Sequence, residues 1–509
     1  MRIFLTYENS KRDFNGRLLL ATQLIKKNEI DEVHIGWHKD IFFELFKSIF
    51  FYKGKTIIID CNNYDYKFPF IKLLKFFNCD YYVIDEEEIG ISYLKNDKIV
   101  KLRFLSKEFT SLIDGKFVLG EKNYQIAKKF MSKSVDKIYQ TGHPRVDFIK
   151  HVIKNKKILN ENFEIKKNFI LVCLPENLFR SFLLLLQIKK NPKKGELAIK
   201  NFDFRKGRYK YVREFLMNLK KIAKINPDKN FILRVHPTDK EYEKKYKFYF
   251  KDISNISINT NYNALYFILQ SDFLICGLDF IAAESHLMKK KSISFLGDVF
   301  NYAKDYKGHF GSNLSNLEYC NNFEEFEKTF NKFKNLENNI DNSEINKDII
   351  DLLSFDKDAS KDIASIIYKK SFNDKKISLK DKIIRGILKY SLKDIFQYLS
   401  LLKKKNFDKI EAQDLSKLIN RYKYSPKKVI YSILISRIFL SCLYKCLFYS
   451  NFKDHSAYRM SGQQQKIEID DFNLSLKINR LDSKKFNAHY LKNGFYFLIT
   501  KGLLSYFLI

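Results

Sequence analysis

The sequence predicts an α/β fold built on parallel sheets in two domains, and two of its features predict this class. Short apolar runs bounded by polar turns recur through residues 1–300, and most have the length and composition of buried strands. Segments of helical periodicity lie between them, for example residues 14–25. Because strands that alternate with helices require crossover connections, each sheet should be parallel and covered by helices on both faces. The predicted strands are 3–7, 33–37, 56–60, 81–85, 117–120, 169–174, 231–235, 273–276 and 292–296.

The chain is long enough for several domains, since its 509 residues exceed what one hydrophobic core usually supports. A lysine-rich stretch at 150–167 ends in polar residues just before a predicted strand, which indicates a linker. We therefore predict a first domain over residues 1–150 and a second over residues 160–370.

The region 371–509 differs in character from these two domains. Residues 379–405 and 428–453 are basic and have a helical period with one apolar face, whereas residues 466–480 alternate like a strand. We predict that 371–509 is a basic, mainly helical extension.

One segment of this extension, 429–449, is nearly long enough to cross a bilayer. Arg437 and Lys445 lie inside it, and each charge would be costly at the centre of the hydrocarbon. Burial against a domain and contact with a membrane surface are the alternatives, of which burial is favoured. Peripheral contact with the inner face of the plasma membrane through the basic extension is kept as a hypothesis.

The charge of the chain is strongly positive, with a formal net value of +33. Such a value usually suggests nucleic acid or an anionic membrane as partner. Here Lys, Ile, Asn, Phe and Tyr are over-used together, as in A/T-rich coding sequences, and scattered lysines are typical of a solvated surface. No RNA-binding signature or zinc-finger spacing is recognisable, so we predict no nucleic-acid partner.

The cysteines predict a reducing compartment. They are seven in number, scattered, and mostly inside apolar stretches, which is typical of reduced, buried thiols in a cytoplasmic protein. Cys442 and Cys446 lie one helical turn apart without a nearby histidine or second cysteine pair, so no metal site is predicted. The N-terminus becomes polar after a few residues, unlike a secretory signal, and instead resembles a first strand.

The strongest candidate for chemistry is the end of the predicted strand 231–235. Ligands of doubly wound sheets bind beyond the carboxyl ends of the strands. This strand ends in Arg234 and His236, followed by Pro237, which stiffens the loop. An arginine can fork onto phosphate oxygens, and an imidazolium can protonate a departing phosphate. A strand that ends in a proline turn with a surface histidine is an equally good interpretation.

Two further strand ends are weaker candidates. The strand 273–276 runs through Gly277 into a helical segment, whose amide groups attract phosphate, and Glu284 one turn later could accept hydrogen bonds from ribose. Asp279 is also explained as a simple helix cap. After the first strand, Glu8 or Asp13 could take a proton from an acceptor hydroxyl, although charged residues commonly open a helix.

Taken in order, these segments resemble the bacterial surface carbohydrate biosynthesis proteins over residues 1–370. That family has the GT-B architecture of two Rossmann-like domains facing a cleft, and it is distantly similar to capsule Kdo transferases and CDP-glycerol glycerophosphotransferases. The matching segments are the acidic and basic turn with Glu8, Arg12 and Asp13, the acidic run 84–90, Thr141-Gly142-His143-Pro144-Arg145-Val146-Asp147, the Arg-x-His-Pro motif 234–237, the segment 277–291, and 358–364.

This sequence departs from the family pattern at three places. His143 replaces an asparagine, Leu278 and Asp279 replace Ser and Thr, and three lysines at 289–291 replace a Gly-Lys-Pro turn. An acid beside the presumed phosphate site is unfavourable for an anionic donor. Altered or lost catalysis is therefore one alternative.

The resemblance implies a glycosyltransferase that moves a sugar from a nucleotide-activated donor to a surface polysaccharide or a lipid-linked glycan. The donor would lie in the cleft, with no metal or other cofactor, and Glu8 or Asp13 would act as base while His236 assists the leaving group. The donor and substrate ligands implied are Arg12, Gly142, Arg145, Asp147, Arg234, Pro237, Gly277, Asp279 and Glu284. A UDP-N-acetylglucosamine 2-epimerase-like enzyme and a catalytically degenerate scaffold for glycan assembly are the alternatives.

Overall fold

The fold was analysed in a computed structural model of the chain, which describes most of residues 1–372 and three short segments near the C-terminus. The described residues are 1–8, 10–37, 45, 48–49, 52, 54–62, 67–86, 107–155, 168–175, 178–179, 182, 202–236, 239, 242–260, 263–277, 280–296, 317–335, 350–351, 353–372, 486–491, 494–500 and 507–508. The predicted linker beyond residue 155, the predicted helices 379–405 and 428–453, and the predicted strand 466–480 lie outside them.

The first sheet has a parallel core of six strands in the order β2-β1-β3-β4-β5-β6. Ile3 pairs with Val33 on one side and with Ile57 on the other, which places β1 in the interior of the sheet. All three side chains are fully buried, as expected for a strand covered on both faces. The strands are β1 Arg2–Tyr7, β2 Glu32–Trp37, β3 Thr56–Asp60, β4 Asp80–Ile84, β5 Gly115–Val118 and β6 Ile138–Gln140.

Helices cover this sheet on its crossover connections. In the first of these helices, Leu18, Ala21 and Leu24 recur at helical spacing and are buried in the same apolar cluster as Ile3 and Leu5. The described helices of this domain are α1 Ser10–Ile25, α2 Phe68–Phe76, α3 Lys107–Leu112, α4 Glu121–Phe130 and α5 Pro144–Lys154.

The second sheet is parallel throughout, in the order β12-β11-β10-β7-β8-β9. Its strands are β7 Phe169–Cys173, β8 Asn230–Arg234, β9 Ile256–Ile258, β10 Leu274–Cys276, β11 Ser292–Phe295 and β12 Leu317–Cys320. Its described helices are α6 Phe202–Ile225, α7 Glu243–Tyr249, α8 Ala264–Gln270, α9 Phe280–Leu287 and α10 Phe323–Lys334.

Both sheets are doubly wound, which confirms the predicted fold class of two Rossmann-like domains facing a cleft, the GT-B type. The strand order reverses beside β1 in the first sheet and between β7 and β10 in the second. Ligands of such folds bind outside the carboxyl ends of the strands at these reversal points. The strand ends are therefore the places where functional side chains are expected.

An apolar core joins the two domains beside the cleft. Val146 and Phe148 of α5 belong to one buried cluster with Phe169 of β7 and with Tyr266 and Phe267 of α8. The rings of Phe148 and Tyr266 meet edge to face, with their centroids 6.3 Å apart. The segment that closes the first domain thus also packs against the second domain.

The helix α11, Ala359–Phe372, follows the second domain in the chain but packs on the first. Ala359, Ile363 and Ile367 are buried in the apolar cluster that contains Ile3 and Leu18. The chain therefore returns to the first domain before residue 370, although the sequence predicts residues 160–370 as the second domain.

The described part of the C-terminal region is strand, where the sequence predicts a mainly helical extension. Here β13 Phe486–Leu491, β14 Gly494–Thr500 and β15 Phe507–Leu508 extend the first sheet beyond β2. Strand β14 pairs antiparallel with β2, for example Phe497 with Ile35, and with β13. Aromatic and β-branched residues favour strands, and Asn493-Gly494 between two such runs is a hairpin signal.

Within the described residues, no helix is both long enough and apolar enough to cross a membrane. The segment 429–449 lies outside the described residues.

Candidate active site

Buried and half-buried charges gather where the strand ends of the first domain face α9 of the second. Glu86 follows β4, His143 follows β6, and α1 follows β1, so parallel strands bring their ends to one edge of the sheet. We call this set the cleft cluster, and its members are Glu8, Arg12, Asp13, Arg17, Glu86, His143, Arg145 and Glu284.

Glu86 is the central carboxylate of the cleft cluster. Its Oε1 lies 2.6 Å from Nη2 of Arg17, and both side chains are 1% exposed. Arg17 also donates from Nη2 to the carbonyl of Ile84 at 3.2 Å. Burial raises the pKa of Glu86 to about 8, the charge of Asp13 adds to the rise, and the arginines oppose it. Glu86 therefore carries a proton over much of the neutral range.

The charges of the cleft cluster balance when Glu86 is protonated. His143 is then neutral as well, because burial and the nearby arginines hold its pKa well below the ordinary value. The ionised groups that remain are three arginines and three carboxylates, namely Arg12, Arg17 and Arg145 against Glu8, Asp13 and Glu284. A base with a pKa near neutrality thus lies in a site without a large net charge.

His143 is oriented by the helix that it caps. It is the residue before α5, and its Nδ1 accepts a hydrogen bond from the backbone N–H of Arg145 at 3.1 Å. The ring proton must then be on Nε2, which lies 3.3 Å from Oε2 of Glu86. The contact between these two atoms does not have hydrogen-bond geometry, and neither atom has another hydrogen-bond partner among the described residues. Buried polar atoms without partners are rare, and in a cleft they indicate a ligand or water.

Arg145 connects the two domains across the cleft. Its Nε and Nη2 lie 2.9 and 2.7 Å from Oε1 of Glu284 in α9, and its guanidinium carbon lies 4.3 Å from the ring centroid of Phe280. Glu284 is almost fully buried, which raises its pKa, although Arg145 opposes this rise. Glu86, His143, Arg145 and Phe280 line one small cleft.

The predicted bases Glu8 and Asp13 also lie in the cleft cluster. Asp13 is buried and accepts hydrogen bonds from Nε and Nη2 of Arg12 at 2.5 and 3.2 Å. Glu8 is a quarter exposed, lies 3.7 Å from Arg12, and accepts a hydrogen bond from the side chain of Asn62. The structure thus brings both predicted carboxylates to the edge where Glu86 lies.

The predicted donor ligands of the second domain lie at its strand ends. Arg234 ends β8, and its guanidinium carbon lies 4.7 Å from the ring centroid of Phe267, while His236 follows two residues later. Gly277 follows β10, and a Cβ there would lie 2.3 Å from Cβ of Pro175. Only glycine fits this contact between neighbouring strand ends, so packing alone accounts for Gly277. Pro237 and Asp279 lie outside the described residues.

Gly142 and Asp147, which the resemblance assigns to substrate binding, have structural contacts to α11. The carboxylate of Asp147 accepts hydrogen bonds from the backbone N–H groups of Ala359 and Ser360 at 3.2 and 2.7 Å, and from the Ser360 hydroxyl at 2.7 Å. It therefore caps α11. Gly142 has a φ of +83°, and a Cβ there would lie 3.3 Å from that of Ser354.

Glu86 and Arg17 are the functional candidates that the sequence analysis does not select. Glu86 belongs to the acidic run 84–90 after a strand, so the rule on strand ends could have identified it. Arg17 lies between apolar residues of α1, and a charge on a helix face that packs on the core is a signal that it has a buried partner. In the part of the chain that the structure describes, no group of histidines, cysteines and carboxylates is arranged to hold a metal ion.

Comparisons with known proteins give likenesses of fold. No protein-family model matches the chain, and no curated protein matches it. Among solved structures, the UDP-GlcNAc 2-epimerase from Neisseria meningitidis bound to UDP-GlcNAc is 14% identical with a TM-score of 0.43, over 72% of this chain and 100% of that one. The UDP-GlcNAc 2-epimerase from Methanocaldococcus jannaschii is 14% identical with a TM-score of 0.42, over 72% and 99%. The wall teichoic acid polymerase TagF is 14% identical with a TM-score of 0.45, over 73% and 89%.

Proposed function

We propose that this protein is a glycosyltransferase that transfers a sugar from a nucleotide-activated donor to the hydroxyl of a surface glycan or lipid-linked glycan, with Glu86 as base. The observation that carries the proposal is the buried carboxylate of Glu86, which lines the cleft, whose pKa is raised to about 8 and whose Oε2 accepts no hydrogen bond among the described residues. A catalytic base works best when its pKa lies near the working pH.

The donor is assigned to the second domain because its described strand ends offer positive and amide groups. Arg234 ends β8, His236 follows it, and Gly277 leads from β10 to α9, so a guanidinium, a histidine and a helix N-terminus follow the two strands that flank β7. These groups suit the phosphates of a nucleotide. The acceptor then approaches from the first domain, where Glu86 lies.

The transfer step follows from these positions. Ionised Glu86 takes the proton of the acceptor hydroxyl, and the hydroxyl oxygen forms a bond to the anomeric carbon of the donor sugar. The bond from that carbon to the phosphate oxygen breaks, and its electron pair remains on the phosphate. Arg234 and the N-terminus of α9 stabilise the charge that develops there, and His236 can protonate the departing phosphate.

Glu8 and Asp13 remain candidates for the base, and two observations favour Glu86 over them. Both carboxylate oxygens of Asp13 already accept hydrogen bonds from Arg12, so neither is left for an acceptor hydroxyl. Glu8 is the most exposed of the three and is engaged by Asn62. Glu86 combines burial, a raised pKa and an oxygen that faces the cleft.

An epimerase that acts on a nucleotide sugar is the second candidate. It is favoured by several carboxylates in one cleft, with Glu86 protonated in the neutral range and others ionised, because epimerisation needs an acid and a base on one substrate. Incubation of purified protein with each donor alone separates the candidates. An epimerase converts the free nucleotide sugar, whereas a transferase without acceptor gives at most slow hydrolysis.

The first test is nucleotide binding by calorimetry with CMP, CDP and UDP. We expect one of them to bind selectively and Arg234→Ala or His236→Ala to weaken binding about tenfold or more, because each removes a charge-assisted hydrogen bond. Lys332→Ala, on the exposed surface of the second domain, serves as the matched control and should bind as the native protein does. If folded protein ignores all three nucleotides, the degenerate scaffold becomes the better explanation.

A further inference from the structure

We propose that Arg145 of the first domain binds the phosphate of the donor, and that Glu284 occupies Arg145 as an internal stand-in for that phosphate when no donor is bound. The proposal rests on the function proposed above; the resemblance already implies Arg145 as a donor or substrate ligand, and the new element is its exchange of partners with Glu284. It implies that donor binding exchanges one partner of Arg145 for another.

The position of Arg145 supports a role at the donor phosphates. Although it belongs to α5, its guanidinium lies over the ring of Phe280, which is the first residue of α9. Helix α9 begins just beyond β10, beside the reversal point of the second sheet, where anions are favoured by the amide groups of a helix N-terminus. A positive group from the facing domain therefore lies against the place where the phosphates are expected.

The contact between Arg145 and Glu284 has the geometry of a bound anion. Two N–H groups of the guanidinium converge on Oε1 of Glu284 at 2.9 and 2.7 Å. Arginine recognises carboxylate and phosphate through the same fork of donors, so one can replace the other. Without Arg145, Glu284 would be a carboxylate only 2% exposed and without its cation, and burial raises its pKa, so Glu284 can take up a proton when a phosphate takes its place.

A second observation indicates that the cleft is built for a ligand. Glu86 and His143 line the same cleft as Arg145, and within the described residues Oε2 of Glu86 and Nε2 of His143, 3.3 Å apart, make no hydrogen bond. His143 and Arg145 are also joined directly, since Nδ1 of His143 accepts from the N–H of Arg145. His143 and the proposed phosphate ligand Arg145 are thereby fixed at the start of the same helix.

The test is a double-mutant cycle with inorganic pyrophosphate as the probe, measured by calorimetry together with thermal melting. Arg145→Gln should weaken pyrophosphate binding about tenfold or more, and Glu284→Gln should tighten it several-fold because the competing carboxylate is gone. The double variant R145Q/E284Q should melt close to the native protein and bind pyrophosphate as weakly as R145Q. The matched control is K332Q/E318Q, which removes an exposed ion pair of the second domain and should change neither property.

A purely structural pair gives the opposite pattern. If Arg145 only holds Glu284, both single variants lower the melting temperature, pyrophosphate affinity does not rise in E284Q, and the proposal is overturned. Nucleotide binding that depends on Arg234 and His236 would then still support the proposed function. If pyrophosphate binds through Arg145 while no nucleotide binds, the proposed function fails and the exchange of partners stands.

Discussion

Two buried carboxylates follow neighbouring strands of the first sheet, yet their surroundings differ. Asp60 ends β3 and is 2% exposed. Oδ1 accepts from the Thr6 hydroxyl at 2.6 Å and the Cys61 N–H at 2.8 Å, and Oδ2 accepts from Nζ of Lys67 at 2.6 Å and from the Tyr81 hydroxyl. Both oxygens of Asp60 are thus satisfied from within the domain.

Glu86, two residues beyond β4, is as deeply buried but only half satisfied. Arg17 contacts its Oε1, whereas in the described part of the chain Oε2 accepts no hydrogen bond and faces the cleft beside His143. A buried polar network in which every group has a hydrogen-bond partner stabilises one conformation. A buried polar group without a partner costs free energy, and such groups are expected mainly at functional sites. The comparison supports a structural role for Asp60 and the proposed role of Glu86 as base.

The largest effect should come from Glu86→Gln. The amide keeps an oxygen for Arg17 but cannot accept a proton, so we expect turnover of the donor to fall about 10²- to 10⁴-fold. Because burial raises the pKa of Glu86 and the amide has no charge to desolvate, the free energy of unfolding should stay equal to that of the native protein or rise. Glu8→Gln and Asp13→Asn are the matched variants, and a greater loss in either would move the base to that residue.

Asp60→Ala should have the opposite effect to Glu86→Gln, with a loss of stability rather than a loss of function. It leaves the ammonium of Lys67, 6% exposed, without its carboxylate, and we expect the free energy of unfolding to fall by about 3–5 kcal/mol in urea denaturation. The fraction that remains folded should bind nucleotide normally. Glu318→Ala, which breaks an exposed pair, should cost less than about 1 kcal/mol. A stable but inactive Asp60→Ala protein would contradict the comparison.

The dependence on pH should distinguish the role of Glu86 through its pKa of about 8. A base is inactive while protonated, so kcat/KM should rise about tenfold per pH unit below pH 8 and level off above it. The pKa of Glu86 is higher in the folded state than its ordinary value of 4.5, so protonated Glu86 stabilises the fold at low pH. This contribution to stability is lost as the pH rises through 8. The melting temperature of Glu86→Gln minus that of the native protein should therefore increase between pH 5 and 9. If the melting temperatures of the two proteins depend on pH in the same way, the pKa of Glu86 is not near 8.

Asp147→Ala should have the smallest of these effects. It removes the cap of α11 but leaves the apolar contacts of that helix with the first domain, so we expect a loss of about 1–2 kcal/mol in the free energy of unfolding. Asp147→Asn, which keeps one acceptor oxygen, should lose less. Nucleotide binding should not change in either variant, and a loss of binding without a loss of stability would place Asp147 in the substrate site.

Much of the framework follows from local patterns. The nine predicted strands correspond to β1–β5, β7, β8, β10 and β11. The described strands of the two parallel sheets that were not predicted, β6, β9 and β12, lie at sheet edges and are only partly buried, so they lack the apolar run of a strand covered on both faces. The rule on strand ends likewise pointed to Arg234 and to Gly277, which the structure places at such ends.

Other features depend on contacts between distant parts of the chain. Asp147 meets Ser360 across 213 residues, and β14 pairs with β2 although their sequences are separated by most of the chain. These segments belong to motifs or apolar runs that are visible in the sequence, but no local pattern shows which of them are in contact. The cap of α11 and the strands beyond β2 were therefore not predicted.

By itself the sequence determined the alternation of strands and helices and hence two doubly wound domains, because side-chain periodicity is a local property of the chain. Only the tertiary structure decided which charges share the cleft. Arg145 and Glu284 are 139 residues apart yet form one ion pair, and Glu86 acquires its pKa from burial and from the charges of Asp13 and the arginines. Desolvation and Coulomb interactions depend on distance in space, which periodicity does not encode.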